Sequence, residues 1–231
     1  MKLDSFLQYL QFEKRCSPHT LIAYTNDIQQ FSDFLLATYE ISDATEVKHT
    51  HIRSWMVTLL QGGITPRSIN RKLSALKTFY KYLMKRGKCA HNPLIKIIAP
   101  KVGKRLPVVV EPKQIEQIFQ EDWFSDDFEG IRDRTILEML YATGMRRSEL
   151  IGLRLTDIYW KNNTLKVLGK GGKERLIPFG RKLANQLKKY LTMRVDVFGG
   201  VSDGKVFLTG KGQPLYPKFV YRLVNRYLSL V

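Results

Sequence analysis

Three prolines, Pro93, Pro100 and Pro107, fall close together, with Lys101, Gly103, Lys104 and Arg105 among them. A proline cannot donate the helical hydrogen bond and its ring collides with the preceding turn, so no helix runs through this stretch. The chain is therefore expected to fold as two bodies joined by an extended basic segment. Its 231 residues suffice for two cores. We place a helical domain at residues 1–98, a linker at 99–107 and a second domain at 108–231.

Before the prolines the only periodicity is helical. Phe6, Tyr9, Leu10 and Phe12 mark a first helix. Ser17 and Pro18 cap and start a second, in which Leu21, Tyr24, Ile28, Phe31, Phe34 and Leu35 recur at helical spacing. A third occupies residues 50–60 and stops at Gly62 and Gly63. Thr65 and Pro66 open a fourth that ends near Gly87. In this fourth helix Ile69, Leu73, Leu76, Tyr80, Leu83 and Met84 form one stripe, while Arg67, Arg71, Lys77, Lys81 and Lys85 face away from it.

The charge on that outer face is one-sided. Between Glu46 and Glu111 there is no acid, and the interval holds 14 Lys or Arg residues. A merely solvated helix face usually interleaves both signs as helical ion pairs, which this one lacks. With 38 Lys and Arg against 21 Asp and Glu, a net charge of +17, a polyanionic partner is the leading reading. Lys48, Arg53, Arg67, Arg71 and Lys77, on the third and fourth helices, are the candidate contacts.

Beyond the prolines the pattern becomes mixed. Short and longer helices are expected at 111–119 and 131–141, the latter with Ile136, Leu137 and Leu140 inward and Gly144 as its stop. A helix restarts at 147–153. Residues 164–168 read as a strand and 175–179 as its hairpin partner, across a turn rich in Gly and Lys. A helix at 181–195, a short strand at 205–208 and a helix at 217–231 follow. The fold class is mainly α with a small antiparallel sheet.

Two basic residues stand out in this second half. Arg146 follows the helix-stopping Gly144 and begins a new helix, near backbone amides that favour anions. Its guanidinium can bind two phosphate oxygens at once. Lys170 lies in the hairpin turn, flanked by Gly169, Gly171 and Gly172, whose missing side chains allow close approach to a ligand. Arg147 is either a further phosphate contact or an exposed helix residue. Lys173 and Arg175 are candidate backbone contacts, with plain solvent exposure nearly as good a reading. Glu149, one turn along from Arg146, is placed to orient Arg146 or Arg147, or to serve a structural role.

Taken together, "YATGMRRSEL", "LRLTDI" and "LKVLGKGGKERLIPF", with "SPHTLIAYTNDIQQF" and "SINRKLSALKTFYKYL" upstream, resemble the tyrosine recombinase (phage integrase) family, close to its bacterial Xer-type members. The resemblance implies a four-helix, SAM-like core-binding domain and part of an α+β catalytic domain. It implies strand cleavage and rejoining in double-stranded DNA through a 3′-phosphotyrosyl intermediate, with no metal or other cofactor, by homo- or hetero-tetramers on two DNA sites. Carried over by motif, Arg146 would stabilise charge on the scissile phosphate and Lys170 would protonate the leaving 5′-oxygen.

The family's second box, a His-x-x-Arg followed by the nucleophilic tyrosine, has no match. His19, His49, His51 and His91 all precede Arg146, and Tyr216, Tyr221 and Tyr227 lie before the box would begin. They read as packing or DNA-facing residues. We expect these residues to bind DNA without cleaving it. The alternative is a shortened homologue that occupies recombination sites and blocks the active enzyme.

Other chemistries find little support. Cys16 and Cys89 have no CxxC spacing, so neither a disulfide framework nor a zinc site is suggested, and a reducing cytoplasm fits. His49 and His51 form an HxH pair without accompanying acids or cysteines. "GKGGKE" is not a nucleotide loop, because Val167 and Glu174 replace the first glycine and the Ser or Thr. The start is broken by charges and no 18-residue apolar run exists, so neither a signal peptide nor a membrane span is expected.

Overall fold

The computed structural model of the chain describes residues 3–103, 109–120, 123–169, 172–199 and 204–231. The chain divides into two compact units, Met1–Leu106 and Pro107–Val231. Each has its own apolar cluster.

The first unit is helical. Helix α1 (Asp4–Gln8) continues as a π-helical turn, Tyr9–Glu13, and is followed by α2 (Pro18–Tyr39), α3 (His49–Gln61) and α4 (Pro66–Lys85). The entries to α2 and α4 are built alike. Ser17 accepts a hydrogen bond from the Thr20 amide at 3.3 Å and Thr65 accepts one from Ser68 at 3.4 Å, each ahead of a proline in the first turn. Phe6, Ile28, Phe31, Leu35, Ile52, Trp55, Ile69 and Leu76 are all at least 98% buried. Their rings interlock, Phe31 against Trp55 at 4.8 Å and Phe6 edge-on to Phe79 at 5.2 Å. Tyr80 is fully buried and donates its hydroxyl to the Ala44 carbonyl, and burial pushes its phenol pKa up.

Two expected core residues are not in this core. Phe12 is 70% exposed, because the π-helical turn ends with Glu13 and leaves its ring off the packed face. Met84 is 41% exposed, whereas Phe79 and Tyr82 are buried. The buried arc of α4 extends from Leu73 and Tyr80 through Leu76 to Ala75, Phe79 and Tyr82, and Met84 lies just beyond its first edge.

In the second unit, α5 (Pro112–Gln120), α6 (Phe128–Thr143) and α7 (Arg147–Gly152) precede three strands. These are β1 (Ile158–Tyr159), β2 (Thr164–Leu168) and β3 (Glu174–Pro178), antiparallel in the order β1-β2-β3. The register pairs Leu165 with Ile177 and Val167 with Arg175. Helices α8 (Arg181–Phe198) and α9 (Pro217–Leu228) complete the described elements. Helix α6 packs on α8, and α7 packs on β2 and α9. Among the described residues no helix is long and apolar enough to cross a membrane.

The strand expected at residues 205–208 is not formed; only isolated bridges join Arg154 to Lys205 and Leu208 to Pro214. Its backbone is satisfied by other means. Val206 donates to the Leu153 carbonyl, while the Tyr190 hydroxyl donates to Val206 and accepts from the Leu208 amide. Burial pushes the Tyr190 phenol up to about 12. β1 joins the sheet through only two residues, too few for a sequence period to show.

Helix α6 starts under a tight loop. The Asp127 carboxylate accepts from the Gly130 amide at 2.8 Å and from the Ser125 hydroxyl at 2.7 Å, and these bonds hold its pKa below the usual range. The loop closes directly over Gly130, where a Cβ would lie 2.0 Å from the Ser125 carbonyl oxygen. Gly130→Ala should therefore destabilise the second unit by about 3 kcal/mol, the upper end of overpacking losses. Thermal unfolding checks this, and an unchanged midpoint would mean that the Ser125 loop yields freely.

Candidate functional site

Two basic regions are described, one in each unit. In the second unit, the left-handed Gly144 ends α6 with its amide on the Leu140 carbonyl, and two residues later Arg146 caps α7. The Arg146 amide is itself engaged. It donates to Glu149 Oε2 at 2.7 Å, and the Arg146 Nη1 donates to Glu149 Oε1 at 2.9 Å. The side chain of Arg146 is nevertheless 64% exposed, while that of Glu149 is 2% exposed. A buried carboxylate thus holds one corner of a guanidinium that otherwise faces solvent.

Glu149 has a second arginine. Arg175 of β3 donates Nη1 to Oε1 and Nη2 to Oε2, both at 2.8 Å, a forked pair. Burying a carboxylate is costly unless it is paired, and here three side-chain hydrogen bonds and one backbone bond compensate. The hydrogen bonds from Arg175 come first and those from Arg146 add to them, together outweighing burial, and the Glu149 pKa falls to about 2.

The candidate residues of this unit are distributed unevenly around that centre. Arg175, a candidate backbone contact, stands opposite Val167 in the hairpin; its side chain is 38% exposed while both Nη atoms bond to Glu149. Gly169 lies against the same pair, since a Cβ there would meet Arg175 Nη1 at 3.2 Å and Glu149 Oε1 at 3.6 Å. Its missing side chain thus accommodates the ion pair, and Gly172, at φ +74°, provides the left-handed turn. Arg147 is exposed and donates to the Pro217 carbonyl at 3.4 Å, tying α7 to the start of α9. Lys173 is exposed. Lys170 lies outside the described residues.

In the first unit, Arg67, Lys77 and Lys81 are exposed on α4 with no acidic partner among the described residues. Lys48 is exposed ahead of α3, and its amide donates to His51 Nδ1 at 3.2 Å. Burial first, then Lys48, lowers the His51 pKa. Among the described residues no group of three or more His, Cys, Asp or Glu could hold a metal ion. Arg53 donates Nη2 to the Lys96 carbonyl at 3.2 Å.

The acid-free stretch is partly compensated from upstream. Glu13 pairs with Lys85 at 3.3 Å and Arg86 at 2.8 Å, and Asp27 pairs with Arg71 and Lys72. Asp27 is 1% exposed. Its only signal in the sequence is an acid four residues before Phe31, on the apolar face of α2.

Glu149 carries a pH dependence whose sign follows from its shift. Its folded pKa, about 2, lies below its ordinary 4.5, so its contribution is present above pH 4.5 and is lost as pH falls toward 2. Glu149→Gln should cost about 2 kcal/mol at neutral pH, since both arginines are partly exposed and can rehydrate. In acid titrations of unfolding, the gap between the two proteins should close between pH 4.5 and 2; a gap independent of pH would remove Glu149 as the source.

Comparison with known proteins adds the family. Residues 3–87 match the model of the phage integrase N-terminal SAM-like domain, and residues 109–230 match that of the phage integrase family. Tyrosine recombinase XerC of Chlorobaculum tepidum is 36% identical over 254 residues, covering 99% of this chain and 76% of that protein. Among solved structures, XerH recombinase in a post-cleavage complex with palindromic difH substrate aligns with a TM-score of 0.69 at 19% identity, over 99% of this chain and 66% of that one. A lambda integrase tetramer bound to a Holliday junction aligns with a TM-score of 0.70 at 19% identity, over 98% and 62%. At such identities the structural likeness concerns the fold. Two family models in tandem and a relative matched along nearly the whole chain lead to one conclusion: the protein belongs to the phage integrase family, the tyrosine site-specific recombinases, among relatives of Xer type.

Proposed function

We propose that residues 1–231 form the DNA-gripping part of a site-specific recombinase and carry the phosphate-activating side of its reaction centre. The observation that carries this reading is the exposed Arg146 guanidinium held at one corner by the buried Glu149. Arginine anchored in this way loses little conformational freedom when it meets a phosphate, so its charge is available where the transition state needs it. Arg147 and Lys173, both exposed, join it in this reading as further phosphate contacts.

In the reaction proposed, a tyrosine hydroxyl attacks the scissile phosphorus and displaces the 5′-oxygen, leaving a 3′-phosphotyrosyl bond. Arg146 stabilises the added negative charge, and Lys170 supplies the proton to the leaving oxygen. Tyr227 does not suit the nucleophile: it is 3% exposed, stacked on Phe124 at 4.6 Å, and burial raises its pKa. Tyr216 and Tyr221 are exposed but precede the position of the family's second box. Tetrameric assembly on two DNA sites is part of the same proposal, since lambda integrase is seen as a tetramer on a Holliday junction.

The helical unit would grip the duplex with Lys48, Arg53, Arg67, Arg71 and Lys77. Phosphate contacts release counterions, so affinity for duplex DNA should fall steeply with salt, with a log K against log salt slope of at least about 3. Fluorescence anisotropy across a salt series measures it, and a shallow slope removes the extended clamp. On a nicked suicide substrate the 231 residues should form no adduct stable to denaturant. A shifted protein band surviving denaturation would place a nucleophile among the tyrosines present.

A further inference from the structure

The first unit contains a buried acid that the proposed grip on DNA does not use directly. Asp27, on α2, is 1% exposed, and its two oxygens are taken by two cations of α4. Oδ2 meets Arg71 Nη1, and Oδ1 accepts from Lys72 Nζ at 3.0 Å, while Lys72 also reaches Gln30 Oε1 at 2.5 Å. The two cations differ in what they have left to offer. The Lys72 side chain is 11% exposed and satisfied inside the cluster; that of Arg71 is 49% exposed. Only Nη1 of Arg71 is engaged among the described residues, so Nε and Nη2 remain to donate outward.

From this geometry we infer that Asp27 is a positioning residue for DNA: it anchors Arg71 from beneath, so that the guanidinium presents its remaining edge to a backbone phosphate. An unanchored arginine must give up rotamer freedom to hold that pose, which the Asp27 contact supplies in advance. Lys72 makes the arrangement possible, because a carboxylate this deeply buried needs more than one half-exposed partner. The cluster keeps a net positive charge, carried outward by Arg71 alone. This inference rests on the DNA-binding reading of the helical unit.

It predicts a sign that simple electrostatics does not. Asp27→Asn removes a negative charge from a protein facing a polyanion, so general attraction would tighten binding. Positioning instead requires weaker binding, by about 3- to 10-fold. The measurement is the Kd of the whole chain for a fluorescein-labelled duplex of mixed sequence, by anisotropy at fixed salt, with Arg71→Ala and the double variant completing a cycle. The double variant should bind no more weakly than Arg71→Ala, because Asp27 acts through Arg71.

Arg71→Lys is the companion variant should Asp27→Asn fold poorly. It keeps the charge at a half-exposed site but lacks the planar fork, and it too should lose several-fold in affinity. Wild-type affinity for Asp27→Asn, tighter binding, or losses that add in full would overturn the inference, as would unchanged binding by Arg71→Lys. Those outcomes leave wild-type DNA binding intact. Absence of salt-dependent duplex binding by the wild type would instead remove the DNA reading, and the inference with it.

Discussion

The buried carboxylate of Glu149 is the contact on which the arginine arrangement of the second unit depends. Glu149 receives the amide and guanidinium of the residue that caps its own helix and, across the sheet, the forked guanidinium of Arg175. It therefore ties α7 to β3, with Gly169 packed against the ion pair. The orientation of Arg146 depends on this contact more than on the helix it begins, since a helix of six residues offers little dipole of its own.

The same device recurs in the first unit with different residues. Asp27 sits in the core side of α2 and holds Arg71 and Lys72 of α4. In both places a buried acid stands where an apolar side chain would pack more cheaply. Each turns a flexible surface cation into a directed one. That shared arrangement gives a reason for buried acids in a chain with such an excess of positive charge.

Much of the fold was legible locally. Ser17–Pro18 and Thr65–Pro66 start α2 and α4, Gly144 ends α6, and β2 occupies Thr164–Leu168, the residues that read as a strand. Local period does not decide what long-range packing decides. Phe12 and Met84 are apolar at helical spacing but sit at the edge of the buried arc. Residues 205–208 look like a strand but are held by the Tyr190 hydroxyl and the Leu153 carbonyl instead of a ladder.

The amino-acid order by itself determined the helical first half, the hairpin and the motifs that carry the family. These depend on backbone restrictions and on side chains a few residues apart. Only the tertiary structure decided which cations are available. Arg175 is brought to Glu149 by the packing of α7 on the β2–β3 hairpin, which joins residues 26 apart, and Arg71 to Asp27 by helices whose contact joins residues 44 apart. Charge in a sequence is a sum over residues, whereas its direction depends on which acid the fold has buried beneath it.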